Sequence, residues 1–533
     1  MRKFNLIDEK WIPVRFSDGT RDEQGLGIRD VLLRSKEISA IEDPSPLVVA
    51  ALYRFLLAVL YRALEGPTDI DQAKALFKAG LPEEKITAYL KEWENRFWLI
   101  DDKYPFGQVP TFQPKKWRSW TALAVEFNAD TAKVLFDHAN ESEQSCITLA
   151  AATRWLLATQ AFAVSTGKSE ISHTGTAPSA GSIIAIPVGQ TLHDTLLFSL
   201  VPQNRDIMQY DIPIWEKSPD TIEYLKTKVK VTGKKGGEEK DRTIERTATG
   251  IVDLYTWRTR SVILKKSPQG FVSEVGFASG IGYLESLVLD PMVGHTIKEI
   301  KDADTKENIK KKFAIQFDEK GIWRDFDSLL PDGELAPKVI ENAATLCRRE
   351  RNRAPIGVLV LGQKYFPPRP NVAFWRVEHF VLPEAISGDS SLRFEIHQIL
   401  YDAEKAGNSL EKACEFYAKD IIAHGDRKVE RKNILDFINQ MTVISHYWTT
   451  LESRFHDILK KFTLGHDSDD LRCQWLTFVC NALQNAWNQH VALVSGRDAW
   501  AVRALVKAEK PVQDKCKELN EEIKKLKPEK EEP

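Results

Sequence analysis

Six apolar residues, Leu471, Trp475, Val479, Leu483, Trp487 and Val491, recur at every fourth position toward the C-terminal end of the chain. That spacing gathers them on one side of a helix, and such a face is stable only when other helices cover it. From Pro383–Ser391 onward the pattern stays helical almost without a break. Residues 386–512 therefore read as an up-down bundle of three or four helices, with Pro383–Ser391 as the boundary before it. The Lys/Glu-rich end, residues 513–533, reads as a charged tail that frays.

Residues 1–385 carry mixed signals and read as a large α/β domain, which makes the whole chain α+β. Phe4–Val14 suggests a short hairpin. Ser45-Pro46 supplies an N-cap and a first-turn proline for a helix over Leu47–Leu64. Arg54 and Arg62 interrupt that apolar run, so it reads as a buried soluble helix and not as a membrane span. Further helices are expected over about 83–97 and over Thr148–Val164. Lys226–Arg246, with eight Lys or Arg against four acids, reads as a hairpin with a solvated tip at Gly233–Gly237. Gly250–Trp257 and Ser261–Leu264 look strand-like. Arg348–Arg353 ends a helix that begins near Ala336, and Ile356–Leu361 and Val372–Val381 are β-runs joined by the proline-stiffened turn Lys364–Asn371.

Net charge is −2, whereas phosphate neutralisation supplies most of the affinity of a free-standing DNA-binding protein. A nucleic-acid role therefore needs local basic patches. The strongest is Arg348–Arg376, with seven Lys or Arg against the single acid Glu350. A second is Lys115-Lys116-Trp117-Arg118-Ser119-Trp120, which interleaves charge with indole and suits either a phosphate-and-base contact or a plain basic loop. Ser165-Thr166-Gly167-Lys168-Ser169 copies only the end of a phosphate-binding loop and follows a helix where a strand is needed, so it is not read as an ATP site.

Catalytic signals are thin. His193-Asp194 and His466-Asp467 have the core of a metal phosphohydrolase motif, but Asp467 opens a helix and reads as a cap. Cys146, Cys347, Cys414, Cys473, Cys480 and Cys516 form no CxxC pair and read as reduced thiols of a cytoplasmic protein. No secretory h-region, catalytic motif, metal site or cofactor is read from the sequence.

Four segments resemble one family. Leu6-Ile7-Asp8 with Trp11-Ile12-Pro13-Val14 resembles the opening of the CasA family, the large subunits of type I-E CRISPR Cascade surveillance complexes. Tyr104-Pro105-Phe106-Gly107-Gln108 resembles its PF-Q loop, Leu135-Phe136-Asp137-His138 its RNA-contacting loop, and Asp253-Leu254-Tyr255-Thr256-Trp257 with Arg260 its D-LTW-R strand. The resemblance runs nearly the full length.

It implies a mixed α/β N-terminal domain followed by a C-terminal four-helix bundle, in a non-catalytic subunit that checks target double-stranded DNA for a short protospacer-adjacent motif (PAM) and helps open the duplex. It also implies recruitment of a separate helicase–nuclease, with other Cascade subunits and the CRISPR guide RNA as partners. Long-range sequence reading is left to guide pairing. By position, Arg369-Pro370-Asn371 would be a wedge beside the PAM, and Ser165, Thr166, Gly167 and Lys168 a minor-groove loop. Phe136, Asp137 and His138 would meet the guide RNA. Lys115, Lys116, Arg118, Lys234, Lys235, Arg348 and Arg349 would supply basic contacts. The chain departs from the family's glycine-rich loop, keeping only Gly167 in its core and Gly175 later, and it lacks the Cys cluster of some relatives. Two other readings stay open: a metal nuclease using His466-Asp467, and a scaffold that only bridges proteins.

Overall fold

The Pro46–Leu64 helix shows how the N-terminal half is built. Ser45 Oγ accepts from the Val48 amide and Pro46 occupies the first turn, as the sequence predicts. The helix is apolar on all sides and lies inside the protein, every residue but Arg62 being buried. Each large aliphatic side chain buried this way contributes about 1.5–3 kcal/mol. The two arginines that break the run are held by partners. Arg54 Nη2 lies 2.8 Å from Asp290 Oδ2 and Nη1 donates to Ser179 Oγ at 2.6 Å. Arg62 makes a fork to Glu216, with bonds of 2.8 and 2.6 Å.

The computed structural model describes residues 2–124, 146–164, 175–230, 239–284, 288–301, 308–317, 321–330, 335–347, 356–365, 372–382, 390–424, 428–462, 466–494, 496 and 498–526. Two compact units are present: Met1–Phe317 with Gly333–Phe380, and Asp318–Asp332 with Val381–Pro533.

Three small three-stranded sheets frame the first unit. Ile12–Phe16 is central, between Arg21–Leu26 and Ile38–Ile41, both antiparallel to it. Lys3–Asn5 pairs instead with Trp98–Ile100, so the hairpin expected over Phe4–Val14 does not form; its two halves join different sheets. In the second sheet Val272–Ser279 lies between Arg260–Lys266 and the short strand Arg118–Ser119. In the third, Gly357–Tyr365 lies between Ile184–Val188 and Val372–Val381. Lys226–Lys230 and Glu239–Thr243 form the expected basic hairpin. One strand-like segment proves helical: Ile251–Tyr255 is a short helix. The Asp211 carboxylate accepts from the Val252 and Asp253 amides at 2.8 and 2.7 Å, which outweighs the β-branched and aromatic composition.

The second unit is helical. Ser390–Ala423 packs on Ser468–Leu493 and Lys510–Leu526, and Val443–Leu459 packs on Ser468–Leu493; Arg431–Asn439 and Ala499–Ala508 are shorter additions. Five of the six periodic residues of Ser468–Leu493 are buried, while Val491 is 39% exposed. A four-residue spacing advances about 40° per step around a 3.6-residue helix, so the last member has rotated toward solvent. The terminal segment differs from the sequence reading. Residues 513–526 do not fray as a tail but belong to the Lys510–Leu526 helix, with Val512, Cys516 and Leu519 buried. Its high charge sits on the outer face and hides a narrow apolar stripe.

Candidate nucleic-acid interface

The Leu149–Phe162 helix, capped by Thr148, ends at Ala163 and Val164. Ala163, Val164, Ala177 and Ala180 form one buried cluster, and Tyr365 and Val372 pack against it. Val164 and Gly175 flank residues 165–174; Tyr365 and Val372 flank residues 366–371. The roots of the two segments singled out from the sequence thus meet on one apolar cluster of the first unit. Small residues permit this. Around Gly181, a Cβ would lie 3.2 Å from the Tyr365 ring.

Hydrogen bonds lock both roots. The Ala177 amide donates to Ala163 O at 2.8 Å and the Ser179 amide to Ala161 O at 3.2 Å. Gln363, buried in the strand leading to Tyr365, donates from Nε2 to Phe162 O at 2.7 Å and Ala180 O at 3.3 Å. Arg260, at the head of Arg260–Lys266, is 1% exposed. Its Nη2 donates to Val164 O at 2.6 Å and its Nη1 to Gly175 O at 3.2 Å. Hydrogen bonds from a charged donor are worth about 1.5–3 kcal/mol each. Burial draws the Arg260 guanidinium down to about 9, which leaves it charged at neutral pH.

The wedge residues Arg369, Pro370 and Asn371 lie outside the described residues, as do Ser165–Lys168, Phe136–His138, Lys234, Lys235, Arg348 and Arg349. Lys115, Lys116 and Arg118 are described. Both lysines are exposed and Arg118 is half-buried, 5.9 Å from the Phe277 ring centroid. Trp117 between them is half-buried with the Lys265 ammonium 5.1 Å from its ring centroid, so the indole braces a basic surface. The sequence reading missed a further basic element: His295–Lys301 pairs with Asn308–Ala314, and Lys310, Lys311 and Lys312 are exposed on it. The run of three lysines was the available signal.

The His-Asp pairs have structural duties. His193 is buried beside Ser35 Oγ, 3.3 Å from Nδ1, and burial lowers its pKa; Asp194 completes a capping box with Thr191. Asp467 caps Ser468–Leu493, accepting from the Asp470 amide at 3.0 Å, and His466 Nε2 lies 2.7 Å from Glu395 Oε2. Among the described residues no group of three or more His, Cys, Asp or Glu could hold a metal ion.

The family model of the CRISPR-associated protein Cse1 matches residues 5–486. The CRISPR-associated protein CasA/Cse1 of Thermus thermophilus is 30% identical over 98% of this chain and 99% of its own length. The chain belongs to the Cse1 (CasA) family. A solved structure of Thermus thermophilus CasA (Cse1) covers 97% of this chain and 100% of its own, with a TM-score of 0.78 at 28% identity. Thermobifida fusca Cse1 shares the fold, with a TM-score of 0.73 at 22% identity over 98% of both chains. So does a chain of a CRISPR RNA-guided surveillance complex, with a TM-score of 0.72 at 19% identity, covering 96% of this chain and 100% of its own. The family is the one its sequence motifs resemble. Within it, the Asp253 and Arg260 motif acquires a physical content: Asp253 is a charge hub and Arg260 a clasp. Asp253 holds Lys217 at 2.7 Å and the Arg246 fork at 2.5 and 3.0 Å.

Proposed function

We propose that this chain is the large subunit of an RNA-guided surveillance complex, and that it reads the short motif flanking the target in double-stranded DNA. The observation that carries this reading is the convergence, on Ala163, Val164, Ala177 and Ala180, of the roots of residues 165–174 and 366–371. A minor-groove segment and a wedge must act at adjacent base pairs, and a shared rigid base holds them in fixed relation. A proline-stiffened tip loses little entropy on insertion, Arg369 suits a phosphate or a narrow minor groove, and Asn371 suits a base edge. Opening costs a few kcal/mol per unstacked step, which contacts from the exposed Lys115, Lys116 and Lys310–Lys312 offset. The near-neutral net charge fits a subunit whose guide RNA and neighbours supply the remaining context. Cleavage belongs, in this reading, to a separate helicase–nuclease recruited once the duplex is open.

The test uses the assembled complex with Arg369→Ala and Asn371→Ala combined. Equilibrium binding is measured on target duplexes with the matching and a substituted flanking motif. The expected outcome is a fall of at least tenfold in affinity for the matched duplex, narrowing the gap between the two. Unchanged affinity and an unchanged gap would remove the wedge assignment and favour a protein-bridging scaffold.

A further inference from the structure

Arg260 is a buried cation whose described partners are all backbone carbonyls. They belong to Val164, Gly175 and Thr259, at 2.6, 3.2 and 3.1 Å. A buried charge is costly unless its bonds are well made, and the Arg260 Nε has no partner among the described residues. The location explains why such a group is kept. Val164 and Gly175 are eleven positions apart in sequence, yet one guanidinium spans their carbonyls. Only arginine offers a planar fork that holds two acceptors at a fixed separation; lysine is a point donor on a flexible stem. The clasp is itself anchored. Gln160 donates to Arg260 O and accepts from the Arg260 amide, both at 2.9 Å, and Thr259 Oγ1 donates to Gln160 O at 2.8 Å. The end of the Leu149–Phe162 helix, the start of Arg260–Lys266 and the two residues that flank 165–174, Val164 and Gly175, are therefore tied through one side chain.

We infer that Arg260 is a positioning residue for flanking-motif discrimination: it fixes Val164 and Gly175 relative to each other and to the Arg260–Lys266 strand, on the same apolar cluster against which Tyr365 and Val372 pack, without touching DNA. This rests on the function proposed above. Lys115 and Lys116, exposed on a loop, are not among the groups the Arg260 guanidinium bonds. Loosening the clasp should affect how well the matched motif is distinguished and leave motif-independent affinity intact.

The experiment compares Arg260→Lys and Gln160→Leu with the unaltered chain, each in the assembled complex with guide RNA. Two quantities are read: amide hydrogen exchange at Ala177, and the ratio of affinities for duplexes with matched and substituted flanking motifs. The expected result for Arg260→Lys is about tenfold faster exchange at Ala177, unchanged exchange in the remote strand Ile12–Phe16, and a ratio lowered about fivefold or more. Affinity for the substituted duplex should stay the same. Gln160→Leu shifts both quantities in the same direction by less, and it carries the test if Arg260→Lys does not assemble. Unchanged exchange at Ala177 would overturn the clasp. Faster exchange with an unchanged ratio would overturn its role in discrimination. If the unaltered complex shows no motif preference at all, the proposed function fails, and the positioning role fails with it.

Discussion

Asp253 shows how much one residue organises the first unit. It is 1% exposed and receives Lys217, both amino groups of Arg246 and the Thr249 amide. Burial pushes its pKa up, but the hydrogen bonds from Arg246 and the Lys217 charge win, and the carboxyl titrates below its usual value of 3.8. A carboxylate depressed in the folded state contributes stability above the unfolded value and loses it as pH falls through the folded one. Asp253→Asn should therefore destabilise the protein by about 3 kcal/mol at neutral pH, since it breaks a buried network. Below about pH 4 the gap to the unaltered protein should shrink. Urea unfolding at pH 7 and pH 3 measures both. An equal loss at the two pH values would mean that the charge network does not hold the carboxyl. The sequence displayed Asp253 only as part of a motif. Its partners lie 36 and 7 residues away, and the cap that turns Ile251–Tyr255 helical comes from Asp211, so local composition pointed to a strand.

Among elements, those governed by local signals were the legible ones. Ser45-Pro46 fixed the start of its helix, and Gly357–Tyr365 and Val372–Val381 follow their β-runs to within a few residues. Elements that depend on distant partners were not legible. The Ile322–Leu329 turn belongs to the helical unit although it precedes the bundle by some sixty residues. There Trp323 packs on Trp448, Phe455 and Trp475 with ring centroids 5.8, 5.2 and 6.4 Å away. The Lys510–Leu526 helix was hidden by its charge. Gly407 marks how tightly this unit packs: a Cβ there would lie 2.5 Å from the Trp448 ring. Gly407→Ala should destabilise the unit by about 1–3 kcal/mol despite the better helix propensity of alanine, because the ring has to move. A lower melting temperature for this variant checks it, and a raised one would show that Trp448 yields freely.

At the scale of the whole molecule, the chain is near neutral and carries its described basic groups on separate segments: Lys115 and Lys116 on a loop, Lys310–Lys312 on a hairpin, Lys364 and Arg376 on the paired strands. The family was legible from short motifs in order along the chain. Which side chains tie the roots of residues 165–174 and 366–371 to the rest of the unit was not, because Arg260 and Gln363 work by reaching carbonyls about 85–200 residues away in sequence. In the proposed function the Arg369–Asn371 tip opens target DNA beside its flanking motif. This opening is tested most directly by placing 2-aminopurine at the first target base pair and following its fluorescence as the assembled complex binds. The unaltered complex should give a rise that depends on the matched motif, and the Arg369→Ala, Asn371→Ala complex should give little at saturating DNA. An equal rise from both complexes would mean that the tip does not open the duplex.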